Sequence, residues 1–267
     1  MNLGIKDRVA IVTGGSAGIG LAVVEELLEN GAHVCVVARN EERLIASIRT
    51  LKVTSERVLA IVADVADPLS AVSIVDQTIS KFGRLDILVN NAGRAHAGGL
   101  MSSTEDAWEE MAEVKLAAMR RLCKAVIPAM RARRWGRIVN MSSIGGIYPN
   151  PKLLISHVLS AAINNITKSI ALEVASDGIL VNAIGIGAVA TDNWAANMIP
   201  ALRRTRPDLA DLSDEQILVR VGAERTPIGR AGDPREIAAL AVFLASTRNG
   251  FVTGDTIEAS GGADRFM

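Results

Sequence analysis

The residues that most directly indicate chemistry lie near the amino terminus, in the sequence TGGSAGIG at positions 13–20. This segment follows an apolar run and precedes an amphipathic one, so it is predicted to join a strand to a helix. Gly14, Gly18 and Gly20 leave backbone N–H groups free at the start of that helix, where the helix dipole favours an anion. The turn therefore predicts a binding site for the pyrophosphate of a dinucleotide.

A second indication of chemistry comes at the end of the next predicted strand, at Arg39. NAD-selective folds usually carry an acidic side chain there, which binds the ribose diol. A guanidinium instead binds a 2′-phosphate through two parallel hydrogen bonds, and Ser16 in the glycine turn offers a further ligand. The alternative is a solvated arginine at a strand end. We expect NADP(H) to be favoured over NAD(H).

Two hydroxyls, Ser156 and Ser160, lie four residues apart in the predicted helix 152–175 and so share one face of it. The pair Tyr148 and Lys152 has the same spacing, but prolines at positions 149 and 151 interrupt it. Since a residue before proline is disfavoured in α geometry, this second pair is not expected to share a helix face.

The elements that must position these residues alternate along the whole chain. Predicted strands rich in Val and Ile occupy 8–14, 33–39, 57–64, 86–93, 136–143, 179–187 and 254–262, and predicted helices occupy 18–30, 41–50, 68–82, 105–132, 152–175 and 233–246. This alternation predicts an α/β fold with a doubly wound parallel sheet of about seven strands. A single Rossmann-like domain over 1–267 is the economical interpretation. The segment 191–230 reads as irregular and is the candidate for a substrate lid.

Six motifs occur in order and at fixed intervals along the chain. They are TGGSAGIG, NNAG at 90–93, GRIVNMSS at 136–143, ALE at 171–173, VNAIGIGAVAT at 181–191 and FVTGDTIEASGG at 251–262. With this ordered set the chain resembles the short-chain dehydrogenase/reductase family over essentially its whole length. The resemblance implies an NAD(P)(H) site at the carboxyl edge of the sheet, a small-molecule substrate, and assembly as a homotetramer or homodimer.

The resemblance also implies which residues bind the cofactor. Asp64 and Val65 are expected at the adenine, and Asn91, Ala92 and Gly93 along the cofactor. The nicotinamide carboxamide is expected near the segment that follows the sixth strand. The predicted cofactor-binding residues are Gly14, Ser16, Ala17, Gly18, Ile19, Gly20, Arg39, Asp64, Val65, Asn91, Ala92, Gly93, Lys115, Ile186, Gly187, Val189 and Thr191.

At the catalytic positions the chain departs from the family pattern of Asn, Ser, Tyr and Lys. Counted from ALE, the tyrosine and lysine positions fall on Ser156 and Ser160, the serine is retained as Ser143, and the asparagine corresponds to Lys115. In the family, tyrosine donates the proton to the carbonyl oxygen and lysine lowers its pKa. The predicted catalytic residues are therefore Ser143, Lys115 and Ser156.

Lys115 is the substitution with the clearest functional hypothesis. A lysine from the neighbouring helix could replace the cation that is missing at position 160, contact the ribose and donate the proton, with Ser143 hydrogen-bonding the oxyanion. A surface lysine without a role is the alternative. The two serines at 156 and 160 are equally well interpreted as small residues that face a cofactor cavity, and Tyr148 is a second candidate donor.

Three functions remain open on these residues. The first is an NADP(H)-dependent oxidoreductase that interconverts a carbonyl and an alcohol with a non-standard proton donor. The second is a non-redox lyase or isomerase on the same fold, which loss of the Tyr/Lys pair favours. The third is a catalytically silent nucleotide-binding protein.

Composition limits the partners. Lys+Arg and Asp+Glu are both 29, and aromatic residues make up 3% of the chain. The residues thus indicate neither a field that attracts nucleic acid nor a base-stacking surface. No apolar run approaches the roughly 20 residues that cross a bilayer, and no signal-peptide pattern opens the chain, so we expect a cytoplasmic protein. Cys35 and Cys123 lack partners at metal-ligand spacing and are expected to be buried thiols, with no metal site.

Overall fold

The computed structural model describes residues 2–51 and 54–263. The seven predicted strands are confirmed, with ends that differ from the prediction by a few residues. They are β1 Val9–Thr13, β2 His33–Ala38, β3 Val58–Val62, β4 Ile87–Asn90, β5 Gly136–Ser143, β6 Ile179–Ile186 and β7 Thr256–Ala259. Their apolar composition matches their position, because helices cover the sheet on both faces.

The strands form one sheet in the order β3-β2-β1-β4-β5-β6-β7, and every neighbouring pair is parallel. The chain reverses its direction of winding between β1 and β4. In sheets of this kind a ligand crevice opens outside the carboxyl ends of the strands at that switch point. The predicted α/β fold class is therefore confirmed.

Nine α-helices connect or flank the strands in the described residues. They are α1 Gly18–Glu29, α2 Glu41–Thr50, α3 Ser70–Phe82, α4 Glu105–Ala112, α5 Ala118–Arg133, α6 Leu154–Val174, α7 Asp192–Thr205, α8 Asp214–Arg225 and α9 Pro234–Leu244. None of the described helices is long and apolar enough to cross a membrane.

Helix caps explain several of these bounds. Asp233 caps α9, with Pro234 at its first position and a reciprocal contact from Glu236. The predicted start of the helix 68–82 is wrong, because Asp67 and Pro68 do not cap it in the same way. The Asp67 carboxylate accepts a hydrogen bond from the N–H of Leu69 at 2.9 Å, which closes a turn, and α3 begins only after it.

Two apolar layers lie on opposite faces of the sheet. One contains Val23 and Leu27 of α1 with Ile237 and Val242 of α9. The other contains side chains from α3, α5 and α6, among them Ile74, Leu122, Val126 and Ile163. Both predicted buried thiols, Cys35 and Cys123, lie in this second layer, and burial raises the pKa of each to about 12.

The predicted continuous helix 105–132 is interrupted by a π-helical turn at Glu113–Ala117. Single π turns are rare, and they occur frequently at functional sites. This one carries Lys115. The local residue types do not indicate this interruption, because all of them are ordinary helix formers.

The predicted irregular segment 191–230 is also corrected, since it consists largely of α7 and α8. Pro200 lies inside α7, where it removes one backbone hydrogen bond. Tertiary packing offsets this loss, because the two helices enclose a small apolar cluster. Its buried members are Leu153, Met198, Ile199, Leu202, Leu209, Ile217 and Val221.

Candidate active site

The glycine turn between β1 and α1 has the shape that an anion requires. Gly14 and Gly18 have φ of +65° and +53°, and a Cβ on Gly20 would lie 2.3 Å from the carbonyl oxygen of Gly14. No side chain caps the start of α1, and its first turn holds no acidic residue. The N–H groups there are left for a ligand, so the residues present fit a pyrophosphate.

Asn91 holds this turn beside the end of β4. Its side-chain amide donates to the carbonyls of Thr13 and Gly14 at 3.0 and 3.2 Å. The Thr13 hydroxyl in turn accepts from the N–H groups of Asn91 and Ala92 at 3.0 and 3.1 Å. The NNAG segment thus fixes the loop after β4 beside the glycine turn.

A cleft of about 510 Å³ runs from this turn across the carboxyl ends of the strands. Sixteen of the seventeen predicted cofactor-binding residues line it: Gly14, Ser16, Ala17, Gly18, Ile19, Gly20, Arg39, Asp64, Val65, Asn91, Ala92, Gly93, Lys115, Ile186, Gly187 and Thr191. The exception is Val189. Its side chain is buried in the apolar layer and packs against Gly232, while the backbone pairs with the same residue.

Two arginines lie at the end of the cleft beside β2. Arg39 is largely exposed, and its guanidinium lies 3.7 Å from the Asp64 carboxylate. Arg43, in the first turn of α2, lies 3.8 Å from Asp192. Both ion pairs are long and solvent-exposed, so each guanidinium can turn towards an incoming anion at little cost. Sequence reasoning missed Arg43, although it follows Arg39 by about one helical turn.

Lys115 projects from the π turn into the cleft. Its stem packs against Gly93, where a Cβ would lie 3.4 Å from the lysine Cγ. Its Nζ donates to the Ser160 hydroxyl at 3.5 Å. No carboxylate of the described chain lies within ion-pair distance, and burial lowers the pKa of the ammonium from 10.5 to about 8. The lysine is therefore a cleft residue rather than a surface one.

The three serines of this region differ in what they offer the cleft. Ser160 is fully buried, and its hydroxyl donates to the Ser156 carbonyl at 2.8 Å. Ser156 lines the cleft. Ser143 also lines it and accepts a hydrogen bond from the N–H of Gly145 at 3.1 Å, which leaves its own hydrogen for a ligand.

Tyr148, the second candidate donor, is not among the described residues that line the cleft. Its hydroxyl donates to the Glu258 carboxylate at 3.3 Å instead. His157 is buried and borders the cleft. Its Nδ1 accepts from the N–H of Asn150 at 2.9 Å. Burial, assisted by the charge of Lys115, lowers its pKa to about 4, so the ring is neutral at pH 7.

A family model for short chain dehydrogenases matches residues 8–199. A 3-oxoacyl-(acyl-carrier-protein) reductase from Vibrio cholerae is 35% identical over 260 residues, which are 97% of this chain and 98% of that protein. The chain belongs to the short-chain dehydrogenase family. Members of this family bind nicotinamide cofactors, and these matches support an oxidoreductase of a carbonyl/alcohol pair.

Solved structures agree with this membership. L-Sorbose reductase from Gluconobacter frateurii, complexed with NADPH and L-sorbose, superposes with a TM-score of 0.89 at 35% identity, and each chain is covered completely. A short chain oxidoreductase from Pseudomonas aeruginosa PAO1, described as containing an atypical catalytic center, superposes with a TM-score of 0.87 at 34% identity, over 97% of this chain and 98% of that one.

Residues outside the predicted cofactor-binding set also line the cleft of this short-chain dehydrogenase. The lid contributes Trp194 and Met198 from α7 and Arg225 from the end of α8. Arg94 and Glu110 form an ion pair of 2.5 Å at its border. The sequence could not assign Arg225, because its place depends on how the lid packs over the sheet.

Proposed function

We propose that this short-chain dehydrogenase is an NADP(H)-dependent oxidoreductase that interconverts a carbonyl and an alcohol on a small organic substrate, with Lys115 as the proton donor. The observation that carries the proposal is the cleft itself. It joins an anion-binding glycine turn to an ammonium without a carboxylate partner in the described chain, and to the hydroxyl of Ser143.

The chemistry divides between the cofactor and the side chains. A bound nicotinamide supplies or accepts the hydride. The Ser143 hydroxyl donates a hydrogen bond to the substrate oxygen, where negative charge develops during reduction. Lys115 then transfers a proton from Nζ to that oxygen. A pKa of about 8 keeps most of the ammonium protonated at pH 7, while the proton stays easier to release than that of an exposed lysine.

In this proposal Ser156 and Ser160 occupy the positions where the family carries its tyrosine and lysine. Neither hydroxyl replaces the phenol as an acid. Ser160 instead accepts the hydrogen bond from Lys115, and Ser156 leaves space beside the reacting atoms. Lys115 thus takes over the cation of the missing pair from a neighbouring helix.

The preference for NADP(H) rests on Arg39 and Arg43. Two guanidinium groups at the cleft end beside β2 favour a 2′-phosphate over a free ribose diol. The G. frateurii sorbose reductase, which superposes over its full length, was solved with NADPH.

The test is a titration of the purified protein with NADPH and NADH, followed by turnover assays with diketones and quinones at the nicotinamide absorbance. Wild-type protein should bind NADPH more tightly and turn over at least one carbonyl. Lys115→Met should lower turnover by about 10²–10⁴-fold, because a positioned acid is lost. Lys124→Met, which changes an exposed lysine of α5, is the matched control.

The alternatives appear as outcomes of the same assay. Tight NADPH binding without turnover on any carbonyl would favour the lyase, isomerase or silent-subunit alternatives. Unchanged binding and turnover in Lys115→Met would overturn the role given to the lysine.

We further propose that the chain assembles as a homodimer or homotetramer. Several large apolar side chains are strongly exposed on the described monomer, including Leu172 on α6 and Phe251 before β7. Burial of such side chains between copies is favourable. Light scattering coupled to size exclusion measures the mass directly, and a monomer at micromolar concentration would contradict this expectation.

A further inference from the structure

Charges that line the cleft are unevenly paired. Among the described residues, its three carboxylates all face arginines. Asp64 lies 3.7 Å from Arg39, Glu110 lies 2.5 Å from Arg94, and Asp192 lies 3.8 Å from Arg43. Two cations of the lining have no such partner, namely Lys115 and Arg225. The protein as a whole has no formal net charge, so these two unpaired cations are a local excess of positive charge in the cleft.

Arg225 is the more unusual of the two. It ends α8 and is partly buried, and its guanidinium forms no hydrogen bond or ion pair with the described residues. Its neighbour Glu224 attracts it but forms no ion pair with it, because that carboxylate binds Arg206 at 2.6 Å and Arg220 at 3.1 Å. Burial lowers the pKa of Arg225, the nearby Arg206 lowers it further and Glu224 opposes the shift, while the guanidinium remains charged. A desolvated charge without a partner is costly unless a ligand supplies one.

Arg225 comes from a different element from the groups assigned to the anions of the cofactor. Pyrophosphate has the glycine turn, and a 2′-phosphate has Arg39 and Arg43 beside β2. Arg225 belongs instead to the lid, which also brings Trp194 and Met198 to the cleft as an apolar wall. A guanidinium beside an apolar wall suits a ligand with an apolar body and one anionic end.

We propose that Arg225 is a substrate-binding residue, and that the substrate is an oxo acid or hydroxy acid whose carboxylate it holds. The planar guanidinium matches a carboxylate through two parallel hydrogen bonds. The carbonyl carbon of the same substrate lies at Ser143 and Lys115. The carbon chain between the carboxylate and the carbonyl group lies against Trp194. This inference rests on the proposed oxidoreductase function and adds its substrate class.

The test compares 3-oxobutanoate, 4-oxopentanoate and 5-oxohexanoate with their methyl esters in NADPH-dependent reduction. One of the acids should exceed its ester in kcat/KM by on the order of 100-fold, because the ester leaves the guanidinium unpaired. Arg225→Gln should remove this preference by raising the KM of the acid while kcat changes little, since the anchor lies away from the reacting atoms. Arg225→Lys should restore part of it.

Two controls make the result specific. Arg204→Gln removes an exposed arginine of α7, in the same lid but outside the cleft lining, and should leave the preference intact. Dihydroxyacetone phosphate compared with dihydroxyacetone tests whether a phosphate serves in place of the carboxylate. A preference for the phosphate alone would overturn the assignment of a carboxylate.

Binding is measured independently of turnover. Calorimetry of the oxo acids with the NADP⁺-bound protein, which has no hydride to transfer to them, should give a dissociation constant that weakens on the order of 100-fold in Arg225→Gln. If no compound is reduced but this difference is found, the oxidoreductase function fails and the carboxylate site stands. Equal binding of acid and ester, or a loss of NADPH affinity in Arg225→Gln, would overturn the carboxylate site itself.

Discussion

At the scale of single residues, the proposed chemistry depends on what burial does to one ammonium. Lys115 lies in the cleft with a serine hydroxyl as its partner, and desolvation lowers its pKa to about 8. An exposed lysine at the usual value of 10.5 would be a much weaker acid. The same burial that is costly for the empty protein therefore suits the residue to the proposed role of proton donor.

The first prediction concerns the pH dependence of this group. In the direction of reduction the protonated lysine is needed, so kcat/KM should be constant below pH 8 and fall as pH rises through the pKa of about 8. In the direction of oxidation the neutral amine is needed, so the dependence is reversed. Initial rates between pH 6 and pH 10 measure both limbs.

Lys115→Arg is the informative variant for this prediction. Arginine retains the positive charge but does not release its proton in this range. The variant should bind NADPH yet lose most of its reduction rate, and the limb near pH 8 should disappear. Persistence of that limb would assign the titration to a different group.

Residue identities were predicted best where a backbone motif specifies them. Gly14, Gly18 and Gly20 follow from the strand-turn-helix pattern, and Arg39 from the end of β2. Arg225 and His157 were not predicted as lining residues, because their place in the cleft depends on the packing of α8 and α6 rather than on local sequence. A Cβ on Gly145 would collide with the His157 ring at 2.2 Å, so that close approach is visible only in three dimensions.

At the scale of elements, the turn before α1 depends on the absence of a single methyl group. Gly20→Ala places a Cβ 2.3 Å from the carbonyl oxygen of Gly14 and 2.5 Å from the amide nitrogen of Asn91. Backbone atoms cannot move aside as a flexible side chain would.

We therefore predict that Gly20→Ala weakens NADPH binding by at least 10-fold, by displacing the N–H groups of the turn. The variant should retain its far-UV circular dichroism, because the change is local. Gly250→Ala is the matched control, since a Cβ there would meet no atom within 4 Å. Fluorescence titration with NADPH compares the two variants. Equal affinities would contradict the proposal that the glycine turn binds the pyrophosphate.

Element boundaries show where periodicity succeeds and fails. The strands were predicted because a run of Val and Ile covered on both faces leaves little alternative. The lid was misjudged because its prolines suggested irregular chain, whereas the apolar cluster around Leu202 and Ile217 stabilises helices despite Pro200. The start of α3 was misplaced because an aspartate before proline can close a turn as readily as it can cap a helix.

At the scale of the whole molecule, a buried ion-pair cluster and the candidate active site lie at opposite ends of the sheet. Asp86 lies just before β4, at the amino ends of the strands, and its carboxylate is completely buried. It binds Arg84 at 2.7 Å and Arg8 at 3.0 Å, and it accepts the N–H of Val9 at 2.9 Å. Burial opposes its ionisation, but these hydrogen bonds outweigh burial and hold the pKa of the carboxyl below its usual range.

Asp86→Asn should lower the free energy of unfolding by about 3 kcal/mol, because the two arginines lose their common partner. Urea denaturation measures this loss, and Asp211→Asn, at an exposed position, is the control. NADPH affinity should be unchanged in both variants, since the cleft lies at the carboxyl ends of the strands. A shift in affinity without a loss of stability would contradict this separation.

The sign of the pH dependence follows from the lowered pKa. The contribution of Asp86 is complete above the unfolded value of 3.8 and disappears as pH falls through the lower folded pKa. The difference in stability between wild type and Asp86→Asn should therefore be constant at neutral pH and shrink only in strong acid.

The π turn at 113–117 makes this segment sensitive to the insertion or deletion of a residue. A π turn holds one residue more than an α turn, and one residue corresponds to about 100° of rotation around a helix. The apolar residues before it, such as Met111, accordingly face Ile155 and Leu159, whereas those after it, such as Leu122 and Val126, face the sheet. Deletion of one residue in this turn would join α4 and α5 into a regular helix. Its two halves could then no longer face their separate partners, so this continuous stretch should tolerate substitution far better than a change in length.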